Sequence, residues 1–266
     1  MEEFNNSAVA LATTTSTNDI DEQMENRSVT IDQESKHVKI ADKNKKEYIV
    51  IPVTPEIKVK GGKIYAFNKR LFDIFVSFIA LIVLSPLLLI TGLLVKITSK
   101  GPIIYVSKRI GKNGKVFNFY KFRSMYQDAE ARLEKLKSKN EIKGGVTFKM
   151  KNDPRITPFG KFIRKTSIDE LPQLWNVIKG DLSLVGPRSS TYEENLNPKV
   201  TNHIRQRQLV SQGITGEWQT HGRSSTTYEE MIEMDLDYIQ NKRGFFYDIK
   251  LLFLTVWVVL TGKGAE

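Results

Sequence analysis

The sequence predicts a mainly helical α+β protein built around one membrane-inserted helix-break-helix, with amphipathic helices at the interface and a small β-hairpin. Three observations carry that expectation. An apolar run of membrane length, Ile74 to Val95, has Ser85-Pro86 at its middle. Two strand-like runs flank an Asn-Gly turn at Asn113-Gly114. Beyond them, capped and amphipathic helical patterns alternate with glycine stops.

The chain has 266 residues, enough for one good-sized domain and a tail. Residues 1–65 read as a disordered polar tail, rich in Ser, Thr, Asn and acids (Thr13-Thr14-Thr15-Ser16-Thr17-Asn18-Asp19), with too little apolar content to offset ordering entropy. Ile49–Val53 is a weak strand at best, interrupted by Pro52 and closed by Pro55. The start, Met1-Glu2-Glu3-Phe4, lacks the basic region and apolar core of a secretory signal. With 40 Lys+Arg against 30 Asp+Glu the formal charge is +10, which points to a polyanionic partner. Nucleic acid, anionic lipid and phosphate-rich substrates all qualify, and the membrane segment favours the last two. There is no cysteine, which excludes disulfides and thiolate metal sites.

Residues 66–100 form the membrane segment. About 20 uncharged residues let a helix cross a hydrocarbon core roughly 30 Å thick. Pro86 removes a backbone donor and crowds the carbonyl of Ile82, so the helix should bend there. Each half, about 12 residues or roughly 18 Å, is too short to span alone. The residues leave two forms open: a re-entrant hairpin with both ends on one face, or a spanning helix kinked at Pro86 whose freed carbonyl is re-satisfied by the Ser85 hydroxyl. Lys69 and Arg70 before the segment, with Lys96 and Lys100 after it, place both ends on the cytoplasmic side.

Residues 101–266 form the body. The runs Ile103–Val106 and Val116–Tyr120 make the hairpin, and a charged helix follows over Gln127–Ser138 until Lys143-Gly144-Gly145 breaks it. Thr157-Pro158 caps a short helix in which Phe159, Phe162 and Ile163 share a face opposite basic residues. Such a helix can lie in the headgroup layer or pack on its own domain. Leu251–Leu260 is apolar but short, so core or interfacial, and Trp257 suits the interface.

Without cysteine, chemistry falls to carboxylates, hydroxyls and bases. Asp169 and Glu170 follow Arg164 and Lys165 at a predicted helix start, where backbone donors keep a carboxylate ionised, as a nucleophile requires. Ser167 with Glu170 also fits a capping box, and motifs of that kind are usually structural. Gly186-Pro187-Arg188 presents a guanidinium shaped for phosphate, or a plain surface arginine. Gly213 to Arg223 offers flexible glycines, Trp218 and a terminal base, which accommodate a nucleotide or lipid diphosphate, or else make a structural turn around Trp218. His203 and His221 lack metal-ligand spacing.

Taken in order, these segments resemble the bacterial sugar transferases known as monotopic polyprenyl-phosphate phosphoglycosyl transferases. The likeness runs from about Lys69 to the C-terminus: Phe72-Asp73 after basic residues, the Ser85-Pro86 break, Lys121-Phe122-Arg123-Ser124-Met125, Asp169-Glu170-Leu171-Pro172-Gln173-Leu174, Ser183 to Arg188, and the Gly213–Arg223 loop. Each motif is weak alone, and the set in this order is specific.

The resemblance implies a re-entrant helix broken at Ser85-Pro86 that enters one leaflet, a monotopic protein of the cytoplasmic membrane, and a catalytic domain over 101–266 on its cytoplasmic face. It implies that Asp169 attacks the sugar-bearing phosphate of a UDP-sugar, expels UMP and forms an aspartyl phosphosugar. Polyprenyl phosphate, of the undecaprenyl type, then takes the phosphosugar. Glu170 matches a magnesium-associated partner, so Mg²⁺ is the expected cofactor. Arg188, Arg164, Lys121, Arg123 and Arg223 form the expected phosphate-binding set. Membrane lipids are expected partners, nucleic acid is not, and homo-oligomerisation is left open. Larger family members carry several spanning helices where residues 1–65 form only a polar tail, and Ser189 stands where the family often has proline. Two readings from other classes compete: a non-catalytic basic membrane scaffold, and a polyprenyl diphosphate phosphatase.

Overall fold

The computed structural model describes residues 29–32, 37–41, 47–136, 150, 152–221 and 226–261, and the chain divides into two units, Met1–Pro52 and Val53–Glu266. In the first unit β1 (Val29–Asp32), β2 (His37–Ala41) and β3 (Glu47–Val50) form an antiparallel meander, with Val29 opposite Ile40 and Lys39 opposite Ile49. These strands correct the reading of this stretch as wholly tail. Apolar and polar residues alternate in β1 and β2, the period of a half-buried strand, but the polar composition around them masks it. Strand β3 stops before Pro52, which has no N–H for a ladder. Residues 1–28 and Lys143-Gly144-Gly145 lie outside the described residues.

The second unit runs α1 (Lys63–Val83), α2 (Ser85–Thr98), β4 (Ile104–Ile110), β5 (Val116–Phe122), α3 (Ala129–Leu136) and α4 (Pro158–Lys165). A 3-10 turn (Ile168–Glu170), α5 (Gln173–Lys179), β6 (Ser183–Val185), α6 (Tyr192–Asn195) and α7 (Asn202–Arg205) follow, then β7 (Gly213–Thr215), α8 (Glu217–His221), α9 (Tyr228–Asp237) and α10 (Phe245–Thr261).

Among the described residues no single helix is long and apolar enough to cross a membrane; α1 and α2 meet the test only together, bent by 64°. The break has the cause read from sequence. Pro86 cannot donate to the Ile82 carbonyl, and the Ser85 hydroxyl does so instead at 2.7 Å. Helix α1 is inside out: Lys69, Asp73 and Ser77, spaced by four, are its buried residues, while Phe67, Leu71, Phe75, Phe78 and Ile82 are exposed. Water does not favour that arrangement, and lipid does.

The hairpin forms as its turn dictates. Asn113 and Gly114 both take positive φ, 54° and 77°, and the ladder runs from Ile110 opposite Val116 to Ile104 opposite Phe122. Its Phe117 and Phe119 enter the main core with Leu174, Val177, Leu184, Ile232, Leu236 and Leu251. A second small cluster of Val95, Phe122 and Ile163 holds α2, β5 and α4 together. The Thr157 hydroxyl accepts from the Gly160 N–H at 2.9 Å, so the expected cap is present. Helix α4 is divided in its packing: Ile163 is fully buried and Phe162 is exposed.

Candidate active site

Asp169 sits where the chain turns from α4 into α5. Helix α4 ends at Lys165, and Ser167 takes a left-handed φ of 56° before the 3-10 turn that carries Asp169 and Glu170. For a serine that conformation costs about 1 kcal/mol, and the fold sustains it by burying Ile163 and packing Ile168 on the same cluster. The Ser167 side chain makes no capping bond, so the capping box read from sequence does not form. The bend instead turns the Asp169 carboxyl inward, to 5% exposure, against strand β5.

Burial corrects a second expectation. Desolvation, with Glu170 beside it, pushes the Asp169 carboxyl up to about 6, while Lys121 and Arg164 oppose the rise. Lys121, reaching from β5, is pushed down to about 8 by burial and by Arg109, against the pull of Asp169. Arg109 is pushed down to about 10 by burial and by Arg188. Arg109 and Lys121 from the hairpin, Arg164 from α4, Asp169 and Glu170 from the turn, and Arg188 after β6 therefore form one charged neighbourhood. Cations outnumber acids in it, as a diphosphate site requires.

Arg188 is placed by two glycines. Strand β6 runs parallel to β7, and Gly186 lies so close to Gly213 that a Cβ on Gly213 would meet the Gly186 nitrogen at 2.1 Å. A Cβ on Gly186 would meet the Ser211 carbonyl at 2.4 Å. The loop glycine read as flexible is thus a packing requirement. The Arg188 guanidinium lies 5.8 Å from the Trp218 ring, within cation–π range. The turn is gripped from both sides: Arg109 donates to the Ser189 carbonyl at 2.8 Å and its hydroxyl at 3.2 Å, and Arg207 reaches Ser190 while paired with buried Asp235 at 3.2 Å.

Of the residues expected from sequence, Asp169, Glu170, Lys121, Arg164 and Arg188 come together, and Ser85-Pro86 makes the bend. Arg223 lies outside the described residues. Arg123 stands apart. Its guanidinium is spent on the Ser99 carbonyl (2.7 Å), the Ser99 hydroxyl (2.8 Å) and the Val95 and Pro102 carbonyls, where it ends α2. Arg123 lies one residue beyond the end of β5, where the end of α2 takes up its side chain, so it does not join Lys121 beside the carboxylates.

The residue that sequence reading missed is Arg109. It is buried over the Phe119 ring at 3.9 Å, its Nε has no partner among the described residues, and no described carboxylate pairs with it. The signal was available in the hairpin. The Asn-Gly turn sets Arg109 opposite Phe117, and a period of two then puts Phe119 and Lys121 on that same face.

Residues 64–262 match the model of a family described as bacterial sugar transferase. The chain is 48% identical over 167 residues to galactosyl transferase CpsE of Streptococcus agalactiae, covering 62% of this chain and 36% of that protein. It is 43% identical over 203 residues to the undecaprenyl-phosphate galactose phosphotransferase of Salmonella typhimurium, covering 75% and 42%. These two relatives are thus matched over less than half of their length. The exopolysaccharide production protein ExoY of Sinorhizobium fredii, 36% identical over 217 residues, is covered over 92% of its length and 80% of this chain.

Proposed function

The chain belongs to the bacterial sugar transferase family, and from that premise we propose that it transfers a sugar 1-phosphate from a UDP-sugar to undecaprenyl phosphate, the first membrane step of exopolysaccharide or capsule assembly. One observation carries the reading: a buried carboxylate, Asp169, set among Lys121, Arg164, Arg109 and Arg188. Relatives named for galactose transfer make UDP-galactose the first donor to try.

In the first half-reaction an Asp169 oxygen attacks the sugar-bearing phosphorus, the phosphoanhydride bond breaks, and UMP leaves with its electron pair. In the second, a phosphate oxygen of the polyprenyl phosphate attacks the same phosphorus and the Asp169 carboxylate departs. Neither step needs a proton donor, because both leaving groups are stable anions. The work left to the protein is holding charge and geometry, and Lys121, Arg164 and Arg188 supply the charge. Asp169 and Glu170 are adjacent hard oxygen donors, a set that suits Mg²⁺ completed by diphosphate oxygens. Among the described residues no third acid or histidine joins them. Bound there through Glu170, Mg²⁺ would neutralise charge on the diphosphate.

The bent pair α1–α2 is read as re-entrant. Its exposed apolar face, the 64° break and the basic residues at both ends support a reading of one wedge in one leaflet with the catalytic domain on the cytoplasmic face. That arrangement brings a site in water to a substrate in lipid.

Purified protein incubated with UDP-galactose should release UMP and gain the mass of a hexose phosphate on the Asp169 peptide, and undecaprenyl phosphate should discharge it. Asp169→Asn should do neither. Release of inorganic phosphate from a polyprenyl diphosphate with no use of UDP-sugars would replace this reading with a phosphatase. Salt-sensitive lipid binding with no turnover across several donors would replace it with a scaffold.

A further inference from the structure

A cavity of about 370 Å³ lies between the start of α1, the end of α5, the β4–β5 turn and β6. None of Asp169, Glu170, Lys121, Arg164 and Arg188 lines it. Its walls carry Lys63, Lys69, Arg70, Lys112 and Arg243 against a single carboxylate, Asp73. Counting Asp248, which pairs with Lys69 at 2.8 Å, five cations face two acids and leave a surplus of three positive charges in a half-enclosed space.

The lining residues do not cancel that surplus among themselves. Asp73 is committed to the Ser183 hydroxyl at 2.7 Å, the Leu184 N–H at 3.3 Å and Lys69 at 3.7 Å. Arg70 donates to the Val177 and Ile178 carbonyls and Arg243 to the Lys60 carbonyl, neutral acceptors that leave both guanidinium charges uncompensated. Among the described residues the Lys63 and Lys112 ammonium groups make no ion pair, and both are exposed at the mouth. Like charges converging on a low-dielectric space repel unless an anion joins them, and Arg with Lys is the combination that phosphate oxygens fit.

We propose that this cavity is a second anion site, which binds a phosphate group carried either by a phosphoglyceride headgroup or by free phosphate. The location suits a headgroup. Ile64 and Phe67, 79% and 65% exposed, leave the same first turns of α1 towards lipid, so acyl chains have a surface beside the cavity. The headgroup form rests on the membrane reading of α1, and the phosphate site itself does not. An occupant would tie the start of α1 to the end of α5 and to the hairpin that carries Lys121.

The test uses the full chain in detergent and in nanodiscs. Inorganic phosphate titrated onto the detergent-solubilised protein should raise Tm saturably. Lys63→Gln with Lys112→Gln, both exposed, should weaken that response about tenfold, while Lys135→Gln with Lys250→Gln, which removes the same charge elsewhere, should leave it intact. In nanodiscs, phosphatidylglycerol in place of phosphatidylcholine should give a Tm rise that depends on the Lys63/Lys112 pair if the occupant is a headgroup. A pair-dependent response to inorganic phosphate alone assigns free phosphate. Asp169→Asn should respond like the unaltered chain, so a failure of the catalytic reading leaves this result standing. No response in either medium, or one equally weakened by the control pair, overturns the site.

Discussion

Asp169 and Lys121 hold opposite charges in a site that favours neither, and the pH dependence of the first half-reaction should show both. In the proposed reaction, below about 6 Asp169 takes up a proton and would cease to be a nucleophile, and above about 8 Lys121 would lose the charge assigned to holding the phosphate. UMP release in single-turnover measurements should therefore fall on both sides of that window. Lys121→Arg keeps a cation that does not titrate, so its alkaline limb should vanish, while its altered shape should lower the plateau about tenfold. Arg109→Gln removes the charge that, after burial, does most to press Lys121 down, and it releases the Ser189 turn. Its alkaline limb should move to higher pH with kcat/KM about 100-fold lower, a shift that a merely structural loss would not produce. Arg123→Gln should behave oppositely: about 2 kcal/mol less stable, with normal UMP release per folded molecule. Asp169 and Glu170 stood out in the sequence because adjacent acids after adjacent bases are a local pattern. Arg109 and Arg123 could not be sorted that way, since the hairpin register gives both the same parity and only the end of α2, which takes up Arg123, decides between them.

Among the elements, those legible in advance are the ones whose cause lies within a few residues. Asn113-Gly114 forces a turn, Thr157-Pro158 starts a helix, and Pro86 ends one, each with the partner expected. What sequence misjudged depends on distant chain: the role of Gly213 is set by Gly186, and the twist at Ser167 by the packing of Ile163 against Val95 and Phe122. Gly213→Ala has no room for its Cβ against the Gly186 backbone and should cost about 3 kcal/mol or more, seen as loss of soluble, folded protein in detergent. The bend at Ser85-Pro86 makes a topological prediction that suits a chain without cysteine. Lys60→Cys and Lys100→Cys should both react with an impermeant maleimide from the cytoplasmic side of inverted vesicles. In Pro86→Leu the restored N–H lets α1 continue into α2, and the thiol introduced by Lys100→Cys should become protected or change sides. Labelling of the two positions from opposite faces without the proline substitution would sink the re-entrant reading.

At the scale of the second unit, α1 is joined to the domain by buried polar groups rather than apolar packing alone. The Lys69 ammonium lies 2.8 Å from Asp248 of α10 and 3.7 Å from Asp73. The two oxygens of Asp248 accept from the hydroxyls of Tyr65 and Tyr238, each at 2.7 Å, and Asp73 carries the bond to Ser183 of β6. The charged stripe of α1 therefore faces the protein, and its apolar residues are left on the exposed side, where the re-entrant reading puts lipid. The network is closed: each charged member has a partner within it. Removing one member should thus cost more than the pair contributes, because the remaining charges are left buried without a partner. Lys69→Met should lose about 3 to 5 kcal/mol, read by denaturation in detergent. Lys69→Met combined with Asp248→Asn leaves one fewer unpaired charge, and the Asn amide oxygen can still accept from one tyrosine. The double variant should consequently be more stable than Lys69→Met alone, a coupling that independent sites would not show. If the two losses simply add, then α1 is held by its apolar contacts and the polar stripe is incidental to how the unit assembles.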